Sequence, residues 1–218
     1  MTRVYIYCEG QTEESFVDKV LYPYFLDIGI IVVPIVCQTK RTAVKKYRGG
    51  VRDYAKIRKE LTMLCRQHRS EYVTTMFDYF AMPENTPGIA SDIRDLYERM
   101  EAIESAIDAD IGEANCHFHF MVHEFEGILF SRPESFRLIA DDDVVSRVRK
   151  IRDSYPTPEH IDDSPETAPS KRLEALIPRY AKIINGSLLS IDMGLDVIMG
   201  QCPYFRKWIA GIAAMGTS

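Results

Sequence analysis

The stretch V-Y-I-Y-C-E-G-Q-T-E, Val4 to Glu13, opens with a short β-rich apolar run and stops abruptly at Glu9-Gly10. That pattern predicts a buried strand that delivers a carboxylate to its carboxyl end and then turns. Gly10 allows the tight turn. Thr12 is placed to cap the helix that follows, and Glu13 falls one helical turn into it, so Glu9 and Glu13 are expected to converge near the strand tip. Two acids at such a tip suggest a metal site.

The same signals recur further along. Glu14 to Phe25 sets Phe16, Val17, Val20, Leu21 and Tyr24 at helical spacing, with Pro23 closing or kinking the helix. Ile30 to Cys37 (I-I-V-V-P-I-V-C) reads as a second strand, and Pro34 marks an edge or a bulge because proline cannot donate to a ladder. From Val51 the positions Tyr54, Ile57, Leu61, Leu64 and His68 give another helix. Tyr72 to Phe77 is a third strand, and it too ends in an acid, Asp78. Ile89, Ile93, Leu96, Met100, Ile103 and Ile107 then step by three or four, a narrow seam that suits either packing on the sheet or a homodimer contact. His117 to Val122 alternates and runs into H-E-F-E-G-I-L-F, which puts His123, Glu124 and Glu126 at the end of a fourth strand.

Beyond Ser131 the character changes to short helical pieces, a long Pro- and Asp-rich loop from Ser154 to Pro169, and helices over Ser170–Tyr180, Leu188–Met199 and Pro203–Met215. The reading is therefore an α/β chain with a mostly parallel, doubly wound sheet over residues 1–130 and a helical extension over 131–218 packed on it. In such sheets ligands bind outside the carboxyl ends of the strands, where Glu9, Asp78 and the Glu124/Glu126 pair are expected.

The 218 residues suit one good-sized core, and 46% hydrophobic content is that of an ordinary globular chain. No apolar run approaches the roughly 20 residues that cross a bilayer, and the first residues lack a signal-peptide layout, so a cytoplasmic location without membrane contact is expected. Five scattered cysteines with no C-x-x-C pair point to reduced, buried thiols. The net charge of −5 hides a basic block: Lys40 to Arg69 holds eleven Lys/Arg against two acids. Arg41, Lys45, Lys46, Arg48, Arg52 and Lys56 from that block are candidates for holding a nucleic-acid backbone, DNA or RNA; the competing reading is a solvated helix face.

Converging carboxylates without a structural partner call for a cation, and hard oxygen ligands suit Mg²⁺ or Mn²⁺. Such ions activate water and stabilise a leaving oxygen in phosphodiester cleavage. Lys171 and Arg172, in P-S-K-R-L, sit where bases oppose a helix dipole, which favours a role over phosphate.

With E-G-Q-T-E after the first strand and an acid after the third, the chain resembles the Toprim fold of topoisomerases, primases and the overcoming-lysogenization-defect nucleases. H-E-F-E-G-I-L-F, T-A-P-S-K-R-L and C-P-Y-F-R-K-W look like a small bacterial Toprim-like family of unassigned function, associated with phage defence and encoded beside ATPases. The resemblance implies a metal-dependent nuclease in which Glu9 is the first-strand glutamate, Glu13 the acid four residues later, and Asp78 the first acid of D-x-D, with Lys171 assisting. It also implies a separate ATPase subunit as partner, since no phosphate-binding G-x-x-x-x-G-K-[ST] is present here. The pattern departs at D-Y-F, where Phe80 replaces the second acid; Glu126 is the chosen substitute ligand. That departure keeps open a non-catalytic effector controlled by an ATPase, and a flavodoxin-like phosphotransfer or small-molecule domain.

Overall fold

The computed structural model describes residues 1–37, 53–161, 164 and 167–215. Five parallel strands form its centre: β1 (Thr2–Cys8), β2 (Ile30–Val36), β3 (Tyr72–Asp78), β4 (Cys116–His117) and β5 (Phe120–Met121). Their order is β2-β1-β3-β4, with β5 also on β3. β2 is an edge strand, so Pro34, opposite Ile6, leaves no ladder donor missing inside the sheet.

Alternation along β1 decides which side each residue serves. Val4, Ile6 and Cys8 join one core, while Tyr5 and Tyr7 join the other. The second core is closed by α3 (Tyr54–Gln67) and α4 (Leu96–Ile111) through Ile57, Leu61, Met100, Ile103 and Ile107. The seam on α4 is thus spent on the sheet. Ile89 and Ile93 precede the helix, because Asp95 caps it through the Tyr97 and Glu98 N–H groups.

The opposite face carries α1 (Gln11–Phe16) and α2 (Tyr22–Asp27), joined through a π turn at Val17–Leu21, so Pro23 lies in the first turn of α2 and ends nothing. The same core takes Phe136, Val145, Leu173, Leu189, Ile198 and Phe205 from the later helices α5 (Asp142–Asp153), α6 (Pro169–Leu176), α7 (Lys182–Met193), α8 (Leu195–Gln201) and α9 (Pro203–Met215), and from the 3₁₀ segment Pro133–Leu138. A single helix over Leu188–Met199 does not form. α7 starts six residues earlier and stops at Gly194, whose φ of +74° suits glycine, and α8 leaves at 89° to it. No single described helix is long and apolar enough to cross a membrane.

The predicted fourth strand is present but interrupted. Val73 and Thr74 pair with Cys116 and His117, and Phe77 and Asp78 with Phe120 and Met121, one register on both sides of the gap. Inside the gap the buried Thr75 hydroxyl takes over the ladder, donating to His119 O and accepting from His119 N–H, both at 2.8 Å. The outer edge is covered by acids of α4: Asp108 Oδ1 accepts the Phe118 N–H and Glu104 Oε1 the Phe120 N–H. Side-chain carboxylates therefore replace the missing next strand. All five cysteines are free and buried.

Candidate functional site

Glu9 follows β1 directly, and its N–H still donates to Met76 O, so the carboxylate leaves from the last rung of the sheet. Its Oε2 accepts the backbone N–H of Asp78, the residue that closes the neighbouring β3. Asp78 Oδ1 accepts the Phe125 N–H at 2.7 Å, tying β3 to the segment after β5. Three strand ends are thereby joined through carboxylates.

Gly10 is extended, with φ −155°, so the predicted tight turn is not what it provides. It is the N-cap of α1 in place of Thr12, and its N–H donates to Glu13 Oε2 at 2.9 Å. A Cβ at Gly10 would stand 3.4 Å from that oxygen, an ordinary contact, so it is the backbone N–H, not the bare position, that folds the Glu13 carboxylate back beside Glu9.

His123 adopts φ +63°, uncommon for a residue with a side chain, and is 2% exposed. That bend sends the chain into the 3₁₀ segment Phe125–Ser131 and sets Glu124 and Glu126 toward the strand tips. Glu124 Oε2 accepts the Ser170 N–H at the start of α6, a favourable end of the helix dipole. Glu126, 2% exposed, meets Lys182 Nζ at 3.2 Å. Lys182 is the first residue of α7, which comes close to α1 at Gly186: a Cβ there would meet Phe125 Cε1 at 3.2 Å and Thr12 Cγ2 at 3.5 Å. The missing side chain one turn on thus sets the height of Lys182 over Glu126.

These groups feel one another. Burial, with Glu13 and Glu124 adding repulsion, pushes the Glu9 carboxyl up to about 7. Burial and the Glu126 charge push Glu13 up to about 6. Asp78 is driven well above the usual carboxylate range by burial and then by Glu9, Glu13, Glu126 and Glu124. Burial also raises Glu126, with Lys182 opposing it. Burial alone would lower the Lys182 ammonium, yet Glu126, Glu124 and Asp78 together hold it above its ordinary value. Among the described residues, five carboxylates share this space with one ammonium contact, a deficit of positive charge that desolvation makes costly.

Among the described residues no three His, Cys, Asp or Glu side chains stand close enough to ligate one ion as placed. Four of the carboxylates are instead tethered to backbone N–H groups. In kind and charge the donor set fits a hard divalent cation; bringing three donors to one ion requires side-chain rotation.

Glu9, Glu13, Asp78 and Glu126 lie near enough at the strand tips to feel one another's charge, and Lys182 joins them, but as placed they do not form the ligand set that the sequence reading expects. Phe80, in the position of the absent acid, lays its ring 5.0 Å from that of His123. Lys171 pairs with Glu174 along α6, and Arg172 donates to Thr167 O and the Tyr155 hydroxyl while covering the Tyr155 ring, which ties α6 to those two residues. Lys56 forms an ion pair with Glu60 at 3.5 Å. The candidates Arg41, Lys45, Lys46, Arg48 and Arg52 lie outside the described residues.

Comparison with known proteins bears on the fold. A family model described as "Domain of unknown function (DUF4276)" matches residues 8–213. Among solved structures, the C-terminal region of the Burkholderia pseudomallei OLD protein is similar at 14% identity and TM-score 0.51, with 99% of each chain covered. The C-terminal region of the Xanthomonas campestris pv. campestris OLD protein aligns at 16% identity and TM-score 0.39, over 96% of this chain and 97% of that one. No curated protein matches the sequence.

Proposed function

Because the chain belongs to the DUF4276 family, described only as a domain of unknown function, its chemistry must be read from the site, and we propose a metal-dependent phosphodiester hydrolase of the Toprim type. The observation that carries this reading is the pooling of Glu9, Glu13, Asp78 and Glu126, from four separate segments, into one under-neutralised cluster at the strand tips. In this reading those carboxylates hold Mg²⁺ or Mn²⁺, which when bound supplies a Lewis acid and an acidified water.

The remaining steps belong to side chains. Glu9, pushed up to about 7 in the metal-free protein, gives up its proton on ligating the ion, so in this reading ion uptake below about pH 7 releases a proton. Lys182 is placed beside the cluster to offset negative charge developing on a phosphoryl oxygen. Lys171 follows Ser170 on α6 and is paired with Glu174; in this reading it leaves that partner to serve as a second ammonium over the phosphate. The basic stretch from Arg41 to Lys59 supplies phosphate contacts to DNA or RNA. In this reading the chain works with a separate ATPase subunit in phage defence, as the resemblance of its sequence motifs implies; the likeness to an OLD C-terminal region supports the fold on which that reading stands.

A second reading rests on Phe80 and on the absence of three convergent ligands among the described residues. Here the same site binds an ion or partner without turnover, and the chain is an effector subunit.

Incubation of the protein with plasmid, single-stranded DNA and tRNA, with and without Mg²⁺ or Mn²⁺, separates the two. The hydrolase reading expects metal-dependent cleavage that disappears in Glu9→Gln, Asp78→Asn and Lys182→Met. Cleavage that survives all three substitutions refutes it. Calorimetric binding of the ion without cleavage of any substrate transfers the assignment to the effector.

A further inference from the structure

α4 carries one base, Arg99, among five acids. Four of those acids are engaged: Glu101 pairs with Lys207, Glu104 accepts the Phe120 N–H, Asp108 the Phe118 N–H, and Asp110 meets Arg58 and the Tyr54 hydroxyl. The base is not. Among the described residues the Arg99 guanidinium makes no hydrogen bond or ion pair. Its Nε is enclosed without a partner, whereas the two terminal nitrogens, equally unbonded, are not enclosed and reach the surface. A half-buried arginine normally has an acid or a carbonyl to meet, and in the first turn of a helix it also opposes the dipole. Nothing within the fold accounts for this one.

An open pocket of about 310 Å³ surrounds that guanidinium, lined by Tyr79, Phe80, Met82, Ile89 and Arg99. All five side chains are partly exposed, so a molecule from solution can touch each of them. No carboxylate lines the pocket, and Arg99 is its only charge.

The pocket also has a particular place. β3, α4 and β4 form a parallel crossover, so α4 begins at the end of the sheet where β3 stops. Tyr79 follows Asp78 directly, and the Phe80 ring rests 5.0 Å from that of His123, the residue before Glu124. The pocket therefore adjoins the carboxylate cluster without sharing a residue with it.

A guanidinium with free terminal nitrogens is a fork for two oxygens of an anion, and an apolar wall beside it strengthens the contact by excluding water. The occupant is then an oxyanion attached to a body that is not itself charged. A nucleotide unit of a strand has that form. We propose that Arg99 holds the phosphate neighbouring the one at the carboxylates, with the attached nucleoside against Tyr79 and Met82. The identity of the anion rests on the phosphodiester reading of the cluster; the pocket's preference for an anion does not.

Binding and cleavage are measured separately on the full chain. Fluorescence anisotropy of short end-labelled single strands, DNA and RNA, is read in Ca²⁺ and in EDTA between 50 and 200 mM salt. Arg99→Gln is expected to weaken binding about ten-fold and to lower the slope of log K against log[salt] by about 0.7, the contribution of one single-strand phosphate. Arg99→Lys should keep the slope and lose part of the affinity, since the charge remains and the fork does not. Arg147→Gln, which removes an exposed base from α5 on the other face of the sheet, should change neither. Melting temperatures confirm that the variants fold. An unchanged affinity in Arg99→Gln, a weakened one with an unchanged slope, an equal change in Arg147→Gln, or no binding by the parent overturns the proposal. Mg²⁺-dependent cleavage that is undiminished in Arg99→Gln overturns the pocket and leaves the hydrolase standing. A slope change in a parent that cleaves nothing removes the hydrolase and leaves the pocket.

Discussion

Lys182 Nζ lies 3.2 Å from Glu126 Oε1, although 56 positions separate the two residues in sequence, and the partners are unequal: the lysine side chain is 42% exposed and the glutamate 2%. Removing the lysine leaves a buried carboxylate facing four others. Lys182→Met is therefore expected to destabilise the protein by about 1–3 kcal/mol at pH 8, the lower end reflecting the solvent that reaches the lysine. At pH 5, where Glu126 can take up a proton, the loss should shrink. Thermal melts at the two pH values check this, with Lys182→Met/Glu126→Gln expected to recover most of the loss. A double variant no more stable than the single one would show that the pair is not the cause.

The same crowding sets a pH dependence. Glu9 stands at about 7 and Glu13 at about 6, against ordinary values of 4.5. A carboxyl whose pKa is higher in the folded state binds its proton more tightly there, so stability is greatest below the unfolded value and declines as pH rises through the folded one. Between about 4.5 and 7 the metal-free protein should lose stability, and Glu9 alone accounts for at most about 3.5 kcal/mol at roughly 1.4 kcal/mol per pH unit. Urea denaturation in EDTA at pH 5, 6.5 and 8 measures the slope. Glu9→Gln should flatten it; a slope unchanged in the variant would rule out Glu9 as its source.

Which parts of the fold and site are legible in the sequence follows from which forces act locally. Apolar runs ending in acids place Glu9, Asp78 and Glu126, because strand burial and the carboxyl-end rule depend on short stretches of chain. Lys182 is hidden by a boundary. A lysine at the first position of α7 opposes the helix dipole just as Lys171 does on α6, but hydrophobic spacing starts that helix only at Leu188. The interrupted strand is equally out of reach, since Thr75, 44 positions before the His119 it bonds, and the α4 acids that complete its hydrogen bonds come from other elements. Gly10 matters, as its place after Glu9 suggests, but through its N–H, which holds the Glu13 carboxylate, rather than through a tight turn.

Phe80 offers a test by restoration. Its ring is partly exposed and rests against His123, while its N–H donates to His123 O, a bond that any residue at this position except proline keeps. Phe80→Asp adds a carboxylate to a cluster already short of positive charge. Without metal at pH 8 the variant should be less stable than the parent by about 1–3 kcal/mol, from like-charge repulsion and lost ring packing. Mg²⁺ should stabilise it more than it stabilises the parent, because binding to the folded state alone adds about 2.7 kcal/mol at a hundred-fold excess over Kd. Differential scanning calorimetry with and without Mg²⁺ reads both effects. An equal response to Mg²⁺ in the two proteins would mean that position 80 does not face the ion.

α9, which carries Trp208, is held down at its start by one buried carboxylate. Glu159 is 3% exposed and its carboxylate collects the first free donors of that helix: Oε1 accepts the Phe205 N–H at 2.8 Å, and Oε2 accepts the Tyr204 N–H at 3.1 Å and the Tyr97 hydroxyl at 2.9 Å. Pro203, which opens the helix, has no N–H to satisfy, so this one side chain meets the next two donors. A glutamine of the same shape keeps one acceptor oxygen and turns a donor toward N–H or O–H groups. Glu159→Gln should cost about 1.5–3 kcal/mol, the range for hydrogen bonds to a charged group, and lower the melting temperature by about 3–12 °C for a chain of this size. Because α9 carries Trp208, partial undocking should also shift its emission to the red before the far-ultraviolet circular dichroism changes. Coincident transitions at an unchanged melting temperature would show that Glu159 does not anchor the helix.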